Sequence, residues 1–282
     1  MELLDYPFMR LALAAAFFTG LTAPAVGTYL VQRRLALLGD GLGHVALTGV
    51  ALGLYTGWAP LATAVVVSVA GAVVIELLRT YAKTSADVAL AMLFYGGIAG
   101  GVMLAGLAGE GAQQLNTFLF GSIVTVTPGD LWLVGALGVV VLVACVGLRP
   151  QLFAVCQDED HARVSGLPVQ LYGLLIAVLA AVTITVAMRT VGLLLVSALM
   201  VVPVATAQQV TRSFRSTHLL AMALGLLAAV AGVVASYEVD TQPGPTIVLI
   251  ALAVFALTAL GRAVRALTRS RRPDPTHPLP SA

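Results

Sequence analysis

The sequence predicts an all-α integral membrane protein, a polytopic bundle of eight or nine transmembrane helices. Three observations predict it. Only 10% of the 282 residues are charged, against roughly 25% in a soluble domain. Hydrophobic residues make up 59% of the chain. Charge-poor runs recur along its length, and a helix needs about 20 mainly apolar residues to cross a bilayer.

The runs follow in order. Leu11–Gln32 is the first span, interrupted in sequence by Pro24 and Gly27; discounting it leaves eight. Gly41–Ile75 is long enough for two spans, and Gly57-Trp58-Ala59-Pro60 is the break between them. Val88–Gly109, Leu131–Leu148, Val164–Met188, Thr190–Thr211, Ser216–Tyr237 and Thr241–Gly261 supply spans four to nine. Pro203 predicts a kink in the seventh span, and the small residues beside it allow close helix approach. Residues 1–268 read as one membrane domain. The polar, Pro-rich stretch 269–282 reads as a disordered cytoplasmic tail.

Basic residues set the orientation, because Lys and Arg favour the cytoplasmic side of short loops. Arg33 and Arg34 follow span 1, Arg79 and Lys83 span 3, and Arg212 and Arg215 span 7. Arg149 and Arg163 flank the connection after span 5; Arg262, Arg265, Arg269, Arg271 and Arg272 follow span 9. With nine spans all of these fall on one side, giving an outside N-terminus and an inside C-terminus. Arg10 and Arg189 are the exceptions. No cleavable signal peptide is expected from the short, acidic start at Glu2 and Asp5.

Several chemistries find no support. The two cysteines, Cys145 and Cys156, make no CxxC pair, so neither a disulfide nor a thiolate-metal site is expected. There is no phosphate-binding GxxxxGK[ST] loop, no HExxH and no GxSxG. The arginines of the tail read as the flank of a last span, with no nucleic-acid role.

Against this apolar background a few polar groups stand out. Asp40 and His44 are four residues apart, and on a helix they share a face. From Gly41 to Ile75 no residue carries a formal charge, apart from His44 if protonated. Ionisable groups within a span are costly and usually functional. The pair offers one oxygen and one nitrogen donor to a divalent metal. Equally, Asp40 suits a helix cap and His44 a packed core position.

The connection Arg149–Pro168 reads as a loop holding one or two helical turns from Asp158 to Arg163. Its acids lead and Arg163 trails, as the helix dipole favours. Gly166 ends the helix and Pro168 starts the next segment. This stretch, with Asp158, Glu159, Asp160, His161, Arg163 and Gly166, reads either as a solvated loop or as a surface helix that docks on a partner. Asn116–Pro128, uncharged and broken by Gly and Pro, fits an outer half-helix or re-entrant segment. Tyr237–Pro245 reads first as a turn that carries Glu238 and Asp240. Glu76 is placed to pair with Arg79 or Lys83.

Taken together, these segments resemble the permease subunit of bacterial zinc/manganese/iron ABC importers. The resemblance covers about residues 10–262. Arg33-Arg34, Gly39–Ala51 with Asp40 and His44, Leu119–Ser122, Val126–Leu131, Ala162–Val169, Val191–Ala207, Asp240 and Gly244-Pro245 carry it. It implies a type II ABC importer-like fold in a bacterial plasma membrane. It implies a second permease copy, with a homodimer expected, a cytoplasmic ABC ATPase dimer, and an extracellular or periplasmic metal-binding protein. The stretch Asp158–Gly166 then corresponds to the region that engages the ATPase. Asp40 and His44 correspond to the metal-handling pair. No permanently bound cofactor and no enzymatic activity are implied for this chain. Zinc is expected first as cargo, then manganese, then iron(II). Rival readings are a secondary carrier in which Asp40 and His44 relay protons, a permease for a metal chelate such as a siderophore, and a non-transporting membrane scaffold.

Overall fold

The computed structural model describes residues 6–81, 86–109, 111–122, 126–189 and 191–270. Among them the backbone forms twelve helices and no strand. In chain order they are α1 (Pro7–Gln32), α2 (Leu38–Thr56), α3 (Pro60–Tyr81), α4 (Ala86–Leu107), α5 (Gly111–Phe120), α6 (Pro128–Gly147), α7 (Arg149–Gln157), α8 (Glu159–Val164), α9 (Val169–Ala187), α10 (Leu193–Val210), α11 (Phe214–Val239) and α12 (Pro243–Ser270).

Each apolar run of the sequence falls on one long helix or, for Gly41–Ile75, on two. Seven of these helices (α1, α3, α4, α6, α9, α11 and α12) are long and apolar enough to cross a membrane. The apolar stretch of α10, Leu195–Val210, is shorter. In α2 the apolar content is diluted by Asp40, His44 and a run of glycines.

The boundaries have local causes. Gly57, at φ 74°, closes α2 in the left-handed conformation that glycine tolerates, and Pro60 opens α3. Thr127 and Asp130 form a capping box at the start of α6, where Pro128 sits in the first turn. Asp158 caps α8, accepting hydrogen bonds from the backbone N–H groups of Asp160 and His161.

Three expectations need correction or reassignment. Pro24 and Gly27 do not interrupt α1, which runs through both. A Cβ at Gly27 would lie 1.9 Å from the Met200 carbonyl oxygen, and the Pro24 ring packs against Gly225, so these residues let α10 and α11 approach α1. Pro203 lies inside α10, which continues on both sides of it. The connection Arg149–Pro168 is mostly helical: α7 occupies its first half and α8 follows at Asp158. The half-helix expected near Asn116 begins earlier, as α5, and ends before Gly121, whose φ is 76°. Residues 123–125 of that segment lie outside the described residues, as do Lys83, Arg271, Arg272 and the rest of the expected tail beyond Ser270.

Around α1 pack α6, α9, α10 and α11, and α2 lies between α3 and α4. Where α1 crosses α11 the backbones nearly touch: a Cβ at Gly20 would be 2.8 Å from Leu226 Cα. Between α3 and α9 the hydroxyls of Ser68 and Thr185 meet at 2.9 Å, satisfying two buried polar groups against each other. By contrast, most of α4, α6 and α12 is unburied by the chain itself.

Candidate functional site

The site begins at the turn between α1 and α2. Leu35 N–H bonds back to the Leu30 carbonyl at 2.8 Å, and Arg34 adopts φ 60° to reverse the chain. Asp40 is therefore the third residue of α2, in the first turn, where unpaired N–H groups favour a carboxylate. It is not the cap: that position is Leu37, and no side chain caps the helix.

Asp40 instead reaches α10, where the Ser197 hydroxyl donates a hydrogen bond to Asp40 Oδ1. The first turns of the two helices lie side by side and run in opposite directions. Gly39 meets Ser197 and Met200, while Gly43 meets Leu193. Ser197 is 13 residues before the end of α10 at Val210, which is about 20 Å of helix. The carboxylate thus sits deep in the bundle relative to that end.

His44 follows one turn later on the same face. Its ring meets the Phe94 ring of α4 edge-on, with centroids 4.5 Å apart and planes at 77°. Nδ1 is buried without a hydrogen-bond partner. The close approach of α4 depends on glycines. A Cβ at Gly97 would lie 2.7 Å from the His44 carbonyl carbon, and a Cβ at Gly100 would be 3.1 Å from Thr48. Thr48 Oγ1 donates to the Gly97 carbonyl at 2.7 Å, pinning the two helices at the histidine.

The half-buried Asp40 carboxylate lines an open cleft of about 290 Å³ together with Leu37, Gly41, Leu90, Ala91, Phe94 and Tyr95. The rim is apolar and open: Leu37 and Tyr95 are each 70% exposed. Among the described residues no group of three or more His, Cys, Asp and Glu side chains converges to hold a metal. One chain therefore offers two donors, one hard oxygen and one imidazole nitrogen, beside a cleft that opens on its flank.

The second set of expected residues meets the C-terminal end of α1, beside the turn that leads into α2. Glu159, the first residue of α8, forms an ion pair with Arg33, whose side chain is 6% exposed. Beside it Gln32 and Gln157 hydrogen-bond at 2.6 Å. Glu76 pairs with Arg79 at 2.7 Å, as expected. Gly173 of α9 leaves room for both groups: a Cβ there would be 2.4 Å from Glu76 Oε1 and 3.4 Å from Arg33 Nη1. Of the remaining residues, Asp158 caps α8, Asp160 and Arg163 form an exposed 3.2 Å pair, and His161 is exposed. Gly166 ends the segment at φ 82°. These residues share one surface element and lie on a different segment from Asp40 and His44. Pro203 shares α10 with Ser197.

Reading the residues alone missed Ser197, Phe94 and Gly97, and assigned Arg33 only to topology. A signal for Gly97 was present in Gly96-Gly97-Ile98-Ala99-Gly100-Gly101, a small-residue repeat at helical spacing. The outlying Arg189 is explained by the fold: it pairs with Asp130 at 2.6 Å, and its guanidinium lies 4.8 Å from the Phe118 ring centre.

Comparison with known proteins adds the following. A sequence model of the ABC 3 transport family matches residues 5–262. The "Probable metal transport system membrane protein" of Treponema pallidum (strain Nichols) is 36% identical over 275 residues, 93% of this chain and 99% of that one. "Manganese transport system membrane protein MntC" of Halalkalibacterium halodurans is 32% identical over 91% of this chain and 88% of its own. "High-affinity zinc uptake system membrane protein ZnuB" of Haemophilus influenzae is 29% identical over 86% and 92%. Among solved structures, "PsaBC from Streptococcus pneumoniae in complex with Fab" superposes with a TM-score of 0.82 at 30% identity, covering 91% of this chain and 92% of that one.

Proposed function

The chain belongs to the ABC 3 transport family, and from that premise we propose that it is the membrane permease subunit of an ATP-binding cassette importer for a divalent transition-metal ion. The observation that carries the reading is the Asp40–His44 pair on α2, held by Ser197 and Phe94 beside an open cleft. Two ligands cannot complete the four-coordinate shell of a structural zinc site. A second permease copy that brings its own Asp40 and His44 across that cleft would supply two oxygens and two nitrogens. Such a site binds the ion in transit and releases it.

Zinc stands first as cargo because imidazole suits it, and manganese second because carboxylates suit manganese. The relatives named for manganese and for zinc support both. Affinity alone would rank manganese below iron(II) and zinc.

In this reading the end of the bundle that carries α7 and α8 faces the cytoplasm of a bacterial cell, and so does the C-terminus. The ATPase dimer engages α8 and its capping residue Asp158. The ion pair between Glu159 and Arg33 ties that surface to the turn that leads into α2, seven residues before Asp40. A shift of α8 driven by ATP would move the start of α2 and with it the carboxylate. A metal-binding protein delivers the ion at the opposite end. This chain hydrolyses nothing itself.

The test is uptake of zinc and manganese in vesicles or cells that hold the permease with its ATPase. Accumulation that stops when the ATPase is inactivated, and persists when the proton gradient is collapsed, is the expected result. The reverse pattern would replace this reading with the proton-coupled carrier.

A further inference from the structure

Arg33, the residue that caps the C-terminus of α1, stands between two carboxylates. Its Nη2 is joined to Glu159 of α8. Its Nη1, the other arm of the fork, lies over Gly173 of α9. A Cβ on that glycine would meet Nη1 at 3.4 Å and would also meet Glu76 Oε1 of α3. Nη1 and the Glu76 carboxylate thus share the small space that the glycine leaves. One planar guanidinium has an acid at each arm.

The two acids are held differently. Glu159 opens the six-residue α8, and its side chain is 47% exposed. Ala162 anchors α8 in a small cluster with Val155 and Val169, apart from the main core. Glu76 belongs to the long helix α3, its side chain is 10% exposed, and Arg79 holds it at 2.7 Å. The Arg33 side chain is only 6% exposed. A guanidinium so buried is strongly destabilised if its counter-ion leaves and nothing replaces it.

We propose, on the reading that an ATPase moves α8, that Glu76 is the replacement. When α8 is drawn away, Arg33 exchanges Glu159 for Glu76, which makes Glu76 a positioning residue for transport. The turn that leads into α2 then has two resting places, one tied to α8 and one tied to α3. Asp40, seven residues further on, follows that turn.

The test reads zinc taken up and ATP hydrolysed, separately, by the full-length permease with its ATPase in vesicles. Glu76→Gln should lower the zinc moved per ATP about five-fold, within the usual range for a residue that couples two sites. Glu76→Asp should recover part of it. Loss of folded protein would lower both readings in proportion and leave their ratio. Arg79→Gln, which keeps the carboxylate, should keep the wild-type ratio. Gly173→Ala should fold, because only the end of the Glu76 side chain has to shift, and should lower the ratio as Glu76→Gln does. In the permease alone, Glu76→Gln and Glu159→Gln should each change the melting temperature little, and together lower it by more than the sum. Additive melting shifts, or a wild-type ratio in folded Glu76→Gln and Gly173→Ala, would overturn the proposal. So would an equal fall in Arg79→Gln. A wild type whose zinc uptake ignores ATP would remove the importer reading and this proposal together; a coupled wild type with unchanged variants removes the proposal alone.

Discussion

The Ser197 hydroxyl on α10 donates a hydrogen bond to the Asp40 carboxylate on α2, joining positions 157 residues apart in sequence. This bond orients the one formally charged side chain of α2 and leaves its other oxygen for a ligand. Removing it should cost about 1.5 kcal/mol, the low end for a hydrogen bond to a charged group. Ser197→Ala is therefore expected to raise the apparent KM for metal uptake about ten-fold. Ser197→Thr, which keeps the hydroxyl, should stay closer to wild type. Uptake kinetics in cells with matched expression would read the difference.

Gly97 lets α4 rest on the peptide unit of His44. A Cβ would meet the His44 carbonyl carbon at 2.7 Å and the Val45 nitrogen at 2.8 Å, both backbone atoms that cannot step aside. Gly97→Ala should destabilise the protein by about 1–3 kcal/mol, the usual range for overpacking. It should also cut uptake, since Phe94 and His44 would part. Thermal unfolding of the purified protein gives the first effect and uptake the second. Gly96→Ala meets nothing within 4 Å and should be silent in both.

The ion pair of Arg33 and Glu159 is a link between α8 and the bundle. Glu159 is 47% exposed, so its contribution to stability is small. Glu159→Arg should leave the melting temperature near wild type yet depress ATP-driven uptake. Adding Arg33→Glu should restore part of it. A double-mutant cycle with no coupling between the two positions would remove this link from the account.

Asp130 has two duties at the opposite end of the bundle. It completes the capping box of α6 and neutralises Arg189, whose side chain is 16% exposed. Asp130→Ala should cost about 1 kcal/mol for the cap and more for the arginine left buried without its counter-ion. Asp130→Asn keeps an acceptor for the cap and should fall between. Melting temperatures of the three proteins should rank wild type, Asn, Ala.

How much of this was legible in the sequence depends on the range of the interaction. The break at Gly57–Pro60, the Asp158-capped helix closed by Gly166, and the Glu76–Arg79 pair were readable because capping, turn chemistry and (i, i+3) pairing are local. The shared face of Asp40 and His44 was readable for the same reason. Ser197 was not, because nothing local distinguishes one hydroxyl in an apolar helix from another until α10 is laid against α2. Pro24 and Gly27 were misread as interruptions. A membrane helix tolerates both when a neighbour packs into the space they leave, as α11 and α10 do here. The helicity of α7 was hidden by its short length and by Pro150 near its start, a position that a helix tolerates.

Asp40 and His44 from two permease copies form the transit point in this account, and ATP-dependent accumulation of zinc and manganese by His44→Ala tests that most directly. The variant should insert like wild type and melt only slightly lower, because the imidazole makes no side-chain hydrogen bond among the described residues and gives up only its edge-on contact with Phe94. Accumulation of both ions should fall ten-fold or more. Wild-type accumulation of both ions by a correctly inserted His44→Ala protein would contradict the account.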